Sequence, residues 1–202
     1  THFYTSFDRV KIAYSDQGSG TPIILIHGFI SDGSSWDRTK LKMDLLNQGY
    51  RVIIPDLRGN GASDKPHNAD SYANDAEIRD LMGLANYLKL KHYDAVGYSR
   101  GSIVLAKLLT KDKRIKKAVL GGMGTDFTDP NWDRRKMFAD AFGGQAEKYP
   151  ETKGAIDYAK SIGADPIALH YLQEFQPVTS LADLHKIKAK VLVIAGDRDT
   201  DN

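Results

Sequence analysis

Five short runs along the chain are apolar at every position or nearly so. They occupy residues 23–26, 52–54, 93–97, 118–120 and 191–195. Continuous rather than alternating hydrophobicity indicates burial on both faces, as in a parallel sheet that is covered by helices. The pattern therefore predicts five buried strands of one mainly parallel sheet.

Helical periodicity fills the spaces between these runs. The clearest case covers residues 74–89, where apolar side chains recur at three- and four-residue steps and charged ones take the other side. Two more helices are expected at about 39–47 and 100–111. Strands that alternate with helices imply right-handed βαβ units. Residues 2–16 instead alternate loosely, which predicts an antiparallel hairpin at the sheet edge.

The stretch from about residue 125 to 185 breaks this rhythm. It holds several short helical patterns and four prolines but no convincing strand. We expect it to form a helical cap, inserted into a core made of residues 1–124 and 186–202. Its eight aromatic residues are available either to line an apolar pocket or to pack the cap helices on each other.

Composition narrows the function classes. The 202 residues include 28 basic and 26 acidic side chains, so the net charge is only +2. That balance argues against nucleic-acid and membrane partners, and no apolar run approaches the length of a membrane span. The absence of cysteine removes disulfides, thiolate metal sites and cysteine nucleophiles. We expect a monomer or homodimer in the cytoplasm, although a cysteine-free exported protein fits the same composition.

Residues 97–101 read Gly-Tyr-Ser-Arg-Gly and fit the pattern Gly-x-Ser-x-Gly. The motif lies between a predicted strand and a predicted helix. A sharp strand-to-helix turn there would strain the backbone of Ser99 and project its hydroxyl, while the flanking glycines avoid clashes. Ser99 is therefore the predicted nucleophile. The plainer alternative is a serine that caps the following helix.

Three further motifs follow predicted strands in the same way. They are His27-Gly28-Phe29, the glycine-rich stretch 55–66, and residues 196–199, which read Gly-Asp-Arg-Asp. Together with the serine motif they make the chain resemble the α/β-hydrolase family, in its group of capped esterases and haloperoxidase-like and epoxide-hydrolase-like enzymes. The resemblance covers nearly the whole chain. It implies an α/β-hydrolase fold with all four motifs at the carboxyl edge of a mostly parallel sheet.

The resemblance also implies roles for individual residues. Backbone N–H groups of Phe29 and Arg100 would form the oxyanion hole, and His27 would brace its loop. Relatives that open epoxides or remove halogens carry aspartate at the nucleophile position, so Ser99 points to acyl-enzyme chemistry. We therefore predict a hydrolase of small, mostly apolar carboxylic esters that uses no cofactor and no metal.

The acid and the base are the remaining members of a catalytic triad. The resemblance places the acid at Asp199, with Asp126 as the alternative because some members carry the acid after the preceding strand. In this family the histidine comes after the acid, and none of the six histidines of the chain has that position. We therefore expect the native chain to continue beyond Asn202 with one more strand and helix.

Two other outcomes stay open at this stage. His170 or His185, in or just after the expected cap, would have to replace the missing base if the chain ended at Asn202. The second outcome is a catalytically silent member of the fold that binds a small molecule or a protein partner.

Overall fold

A computed structural model describes residues 1–199 of the chain. Within that range, seven strands form one sheet in the order β1-β2-β4-β3-β5-β6-β7. They are β1 His2–Thr5, β2 Lys11–Gln17, β3 Pro22–Ile26, β4 Arg51–Pro55, β5 Tyr93–Tyr98, β6 Ile115–Gly121 and β7 Lys190–Ile194. The pairs β1·β2 and β2·β4 are antiparallel, and every other pair is parallel. The predicted N-terminal hairpin and the five predicted strands are therefore confirmed.

Seven α-helices accompany the sheet within the same range. They are α1 Lys40–Asn47, α2 Ala76–Tyr87, α3 Arg100–Lys111, α4 Asp133–Asp140, α5 Lys153–Ser161, α6 Pro166–Glu174 and α7 Leu181–Leu184. Helix α2 is shorter than the predicted 74–89. Asn74, Asp75 and Lys89 have φ angles of 56°, 56° and 55°. Left-handed backbone cannot continue an α-helix, so these residues bound it on both sides.

The sheet separates two apolar layers, because successive residues of a strand point to opposite faces. On one face Ile24 and Ile26 pack with α2 and α3 in the main core. On the other face Ile23 and Leu25 pack with Trp36 and the apolar side of α1. This two-sided burial is what the continuous apolar runs predicted.

Residues 125–185, which we call the cap segment, contain helices, turns and loops but no strand in the structure. Their own apolar cluster includes Phe142, Leu169 and Leu172, and it packs on Ile30 and Tyr72 from the core loops. The cap segment therefore covers loops at the carboxyl ends of the strands. The division into a core and a cap domain stays a prediction.

Strand β7 forms as predicted but is not buried. Its apolar residues Val191 to Ile194 are 39% to 61% exposed, whereas the apolar residues of β3 are almost completely buried. Within residues 1–199, β7 pairs with β6 on one side only. Across the same residues, no helix is both long and apolar enough to cross a membrane.

Candidate active site

Ser99 occupies the turn between β5 and α3. Its backbone angles are φ 51° and ψ −125°, a conformation that side-chain-bearing residues rarely adopt. The Ser99 N–H donates to the Gly121 carbonyl at 2.8 Å, which ties the turn to the end of β6. The Ser99 hydroxyl makes no capping bond to the helix. A relaxed helix-capping serine, the alternative interpretation, is therefore wrong.

Close backbone contacts explain the two glycines of the motif. A Cβ atom on Gly97 would lie 2.5 Å from the Gly101 carbonyl oxygen, and one on Gly101 would lie 2.3 Å from the Ile26 carbonyl oxygen. Both distances are far below van der Waals contact. Only glycine at these positions lets α3 start this close to β3 and β5.

The loop after β3 borders the serine. A Cβ atom on Gly28 would lie 3.4 Å from the Ser99 Cβ and 3.9 Å from its Oγ. The next residue, Phe29, lines the cavity beside Ser99, and Ile30 has a φ of 50°. A positive φ at a β-branched residue is costly, so the two loops that meet here both carry strained backbone.

A cavity of about 400 Å³ opens next to Ser99. Aromatic and aliphatic side chains form much of its wall, together with four small hydroxyl residues, one of which is Ser99. Its lining residues are His27, Gly28, Phe29, Ile30, Ser31, Ser35, Trp36, Thr39, Tyr98, Ser99 and Tyr158. No lining residue that the structure describes is Asp, Glu, Lys or Arg. The cavity therefore suits an uncharged, largely apolar ligand.

His27 also lines this cavity, but its ring is fully engaged by backbone. Its Nδ1 lies 2.9 Å from the Gly28 carbonyl oxygen, and its Nε2 accepts the Leu57 N–H at 3.0 Å. Nε2 is thus the unprotonated nitrogen and has no lone pair left for the Ser99 hydroxyl. Burial lowers the pKa of His27, which keeps the ring neutral. His27 braces two loops, as the sequence suggested.

The two candidate acids lie after neighbouring strands. Asp199 follows β7 and is half-buried, with its N–H bonded to the Gly196 carbonyl at 3.1 Å. Asp126 begins a 3₁₀ turn after β6 and is exposed. Because β5, β6 and β7 are parallel neighbours, both acids lie at the same sheet edge as Ser99. The choice between them stays a prediction, as do the oxyanion roles of Phe29 and Arg100.

The other histidines lie elsewhere in the structure. His67 bonds Asp165 at 2.7 Å, and His170 is held by the Ala139 carbonyl at 2.7 Å and by Glu174 at 3.1 Å. Neither these two nor His185 lines the Ser99 cavity. Residues 1–199 therefore bring no free imidazole to Ser99.

Comparison with known proteins places this site in a family. The family model for the α/β-hydrolase fold matches residues 21–169, which include the His27 loop, the stretch 55–66 and the Ser99 turn. The chain belongs to the α/β-hydrolase family.

Individual relatives of this α/β hydrolase carry several activity names. A putative non-heme chloroperoxidase from Synechocystis sp. is 43% identical over 113 residues, which are 55% of this chain and 40% of the relative. An esterase from Exiguobacterium antarcticum has a TM-score of 0.76 at 23% identity over 95% of this chain and 79% of its own. A bromoperoxidase from Bacillus anthracis has a TM-score of 0.70 at 26% identity, covering 97% of this chain and 81% of its own. The chain thus spans less than half of the curated relative.

Two residues of this α/β-hydrolase site, Ser102 and Trp36, were not predicted from the sequence. The hydroxyl of Ser102 lies 2.9 Å from the Gly97 carbonyl oxygen and 2.8 Å from that of Gly121, and it accepts the Gly121 N–H at 2.9 Å. Ser102 thus joins α3 to the ends of β5 and β6. Trp36 walls the cavity, and its buried Nε1 has no bonding partner within residues 1–199. A single serine or tryptophan carries no spacing signal, so only the fold reveals these roles.

Proposed function

We propose that this protein is a serine hydrolase that cleaves small carboxylic esters through an acyl-enzyme intermediate. One observation carries the proposal: Ser99 has a strained backbone, its hydroxyl makes no helix-capping bond, and it lines an apolar cavity. A base removes the Ser99 proton while Oγ attacks the ester carbonyl. The oxyanion that forms accepts hydrogen bonds from the Phe29 and Arg100 N–H groups. The base then protonates the leaving alkoxide, and water releases the acid by the same steps.

The cavity supports a neutral, apolar substrate. Its volume of about 400 Å³ accommodates a short acyl chain or one aromatic ring, and Phe29, Trp36, Tyr98 and Tyr158 provide apolar walls. A charged substrate would lose hydration here without gaining a counter-ion. The names of the relatives, an esterase and haloperoxidases, fit a serine enzyme of this kind. The proposed reaction uses no metal or cofactor.

The triad is completed by Asp199 and a histidine. Asp199 would orient the histidine and stabilise it when it is protonated. Within residues 1–199, His27 is engaged by backbone and no other described histidine lines the cavity, so the proposal leaves the identity of the histidine open. The order serine, acid, histidine in this family is the reason for pairing that histidine with Asp199.

Within residues 1–199 no free histidine lines the Ser99 cavity, and this observation supports one alternative. A protein in which no histidine reaches Ser99 would keep the cavity and bind a small apolar molecule without turning it over. The two functions differ in one measurable step, which is the covalent transfer of the acyl group to Ser99.

Short-chain p-nitrophenyl esters test the proposal with the full-length protein. We expect a burst of p-nitrophenol followed by steady turnover, and we expect Ser99→Ala to lower kcat by about 10⁴-fold or more. Ser31→Ala and Ser35→Ala are matched controls, since both serines line the same cavity. Turnover in Ser99→Ala equal to that of the wild type would refute the proposal, and no burst or turnover in the wild type would favour the silent binder.

A further inference from the structure

The side chain of Arg100 is almost fully buried directly beside the candidate nucleophile. Only 4% of Arg100 is exposed, although it is the first residue of α3 and follows Ser99. Its Nη1 and Nη2 donate to the two Glu77 carboxylate oxygens at 2.8 Å and 2.7 Å. Glu77 is itself 5% exposed and lies in the first turn of α2. The pair is therefore a two-pronged ion pair inside the protein.

The Arg100 guanidinium also reaches the cap segment. Nη2 donates a second bond to the Leu172 carbonyl at 2.7 Å. Leu172 lies in the last turn of α6, where carbonyls have no partner within the helix. A cation there complements the negative end of the helix dipole, and Glu77 complements the positive end of α2. One side chain thus joins the α3 N-terminus, α2 and the cap segment.

Stability alone does not account for this arrangement. A buried ion pair commonly contributes no more stability than apolar side chains of equal volume. The Arg100 Nε is also buried and has no acceptor within residues 1–199, which is a further cost. The ion pair instead holds Arg100 in one position. The backbone N–H of Arg100 lies at the strained turn after Ser99.

Phe29, the other candidate oxyanion residue, is held in a parallel way. Its ring packs edge-on against Phe138 of α4 and against Phe142, with centroids 5.6 Å apart in both cases. The side chains of both candidate oxyanion residues therefore end on the cap segment. Arg100 directly follows Ser99, and Phe29 directly follows Gly28, which lies beside Ser99.

We propose that Arg100 is a positioning residue for the oxyanion hole. Its guanidinium, held between the Glu77 carboxylate and the Leu172 carbonyl, fixes its own backbone N–H beside Ser99 and ties that N–H to α6. The inference rests on the proposed serine hydrolase function. It adds that a seated cap segment is a condition for a formed oxyanion hole.

Lys107 provides a matched control on the same helix. It lies seven residues after Arg100, which is two helical turns further along nearly the same face of α3. Its Nζ donates to the Val178 carbonyl at 3.0 Å and lies 3.8 Å from the Asp75 carboxylate. Lys107 thus also bridges the start of α2 and the cap segment, but far from Ser99. If both residues only anchor the cap segment, substitutions at Arg100 and Lys107 should affect the oxygen-to-sulfur rate ratio equally. If Arg100 positions the oxyanion hole, only its substitution should change that ratio.

A thionoester carries sulfur in place of the carbonyl oxygen of the ester. Comparing the two substrates distinguishes a positioning role of Arg100 from a general anchoring role. Sulfur accepts hydrogen bonds weakly, so the ratio of the two rates reports the contribution of the oxyanion donors. The variant is Arg100→Met combined with Glu77→Gln, which leaves no buried charge unpaired. We expect its kcat for the oxygen ester to fall about 10- to 100-fold with little change in KM, and the oxygen-to-sulfur rate ratio to fall with it. Lys107→Met should keep the wild-type ratio.

Equal slowing of both substrates, or the same change of ratio in Lys107→Met, would overturn the proposal. Hydrogen exchange of the same proteins supplies a readout that needs no turnover. The double variant should speed exchange in α6 and in the first turn of α3 together, and Lys107→Met should speed it only around Val178. Unchanged exchange in α6 would also overturn the proposal. If Ser99→Ala keeps wild-type turnover, the proposed function falls, and exchange alone decides whether Arg100 joins the turn to α6.

Discussion

The candidate site has two parts whose surroundings differ in burial. We call Ser99 with its turn the nucleophile half, and Asp199 with β7 the acid half. Ser99 follows β5, which lies between β3 and β6, and α3 behind it contributes fully buried side chains such as Val104 and Leu105. Asp199 follows β7, whose apolar residues are at least 39% exposed. The run that gives β7 is apolar throughout, whereas the run that gives β5 includes Asp94, so the more exposed strand is the more apolar one. A continuous apolar run therefore predicts a strand, whereas its burial depends on neighbours that the run itself does not specify.

The largest expected effect concerns the acid half. If Asp199 orients the base, Asp199→Asn should lower kcat/KM in the full-length protein by about 10⁴-fold, because the amide would favour the wrong histidine tautomer. Asp126→Asn is the matched control and should stay within about threefold of the wild type. The reverse result would move the acid to Asp126 and to the turn after β6.

A glycine of the turn tests the nucleophile half. Gly101→Ala places a methyl group 2.3 Å from the Ile26 carbonyl oxygen, so α3 must shift away from β3. We expect a loss of at least about 100-fold in kcat, since small displacements of catalytic groups are costly. The control is Gly154→Ala in α5, where a methyl group meets nothing within 4 Å and should stabilise the helix by up to about 1 kcal/mol. Wild-type kcat in Gly101→Ala would show that the tight turn is not needed.

Two leucines compare the packing of the two halves directly. Leu105→Ala removes a fully buried side chain from α3 and should lower the free energy of unfolding by about 2–5 kcal/mol. Leu192→Ala removes a side chain of β7 that is 55% exposed and, in the chain of residues 1–202, should cost less than about 1 kcal/mol. Urea unfolding measures both values. A cost at Leu192 as large as that at Leu105 would show that β7 is covered in solution.

The smallest expected effect is a pH dependence of stability from His27. Because burial lowers its pKa below the ordinary 6.5, the folded protein favours the neutral ring. The resulting stabilisation is complete above pH 6.5 and is lost as the pH falls toward the lowered pKa. The free energy of unfolding of the wild type should therefore drop more between pH 7.5 and pH 5.5 than that of His27→Gln. Parallel pH curves for the two proteins would remove His27 as the cause.

Most of the fold and part of the site follow from local sequence patterns. The apolar runs predicted β3 to β7, and the Gly-x-Ser-x-Gly spacing predicted the strained backbone of Ser99 because that geometry is local. The run 191–195 predicted a strand that needs cover on both faces, and the exposure of β7 within residues 1–199 shows that this cover depends on tertiary neighbours. The sequence also did not predict the hydrogen bonds of the Arg100 side chain, since its partners Glu77 and Leu172 are 23 and 72 positions away in sequence. Long-range partners of this kind carry no periodic signal in a single chain.

Covalent labelling of Ser99 tests the central claim most directly. The full-length protein is treated with a fluorophosphonate, and peptide mass spectrometry locates the adduct. We expect one adduct per chain, on Ser99, with none on Ser31 or Ser35 of the same cavity and none in Ser99→Ala. An adduct on another serine, or no adduct on a protein that turns over esters, would contradict the assignment of Ser99 as the nucleophile.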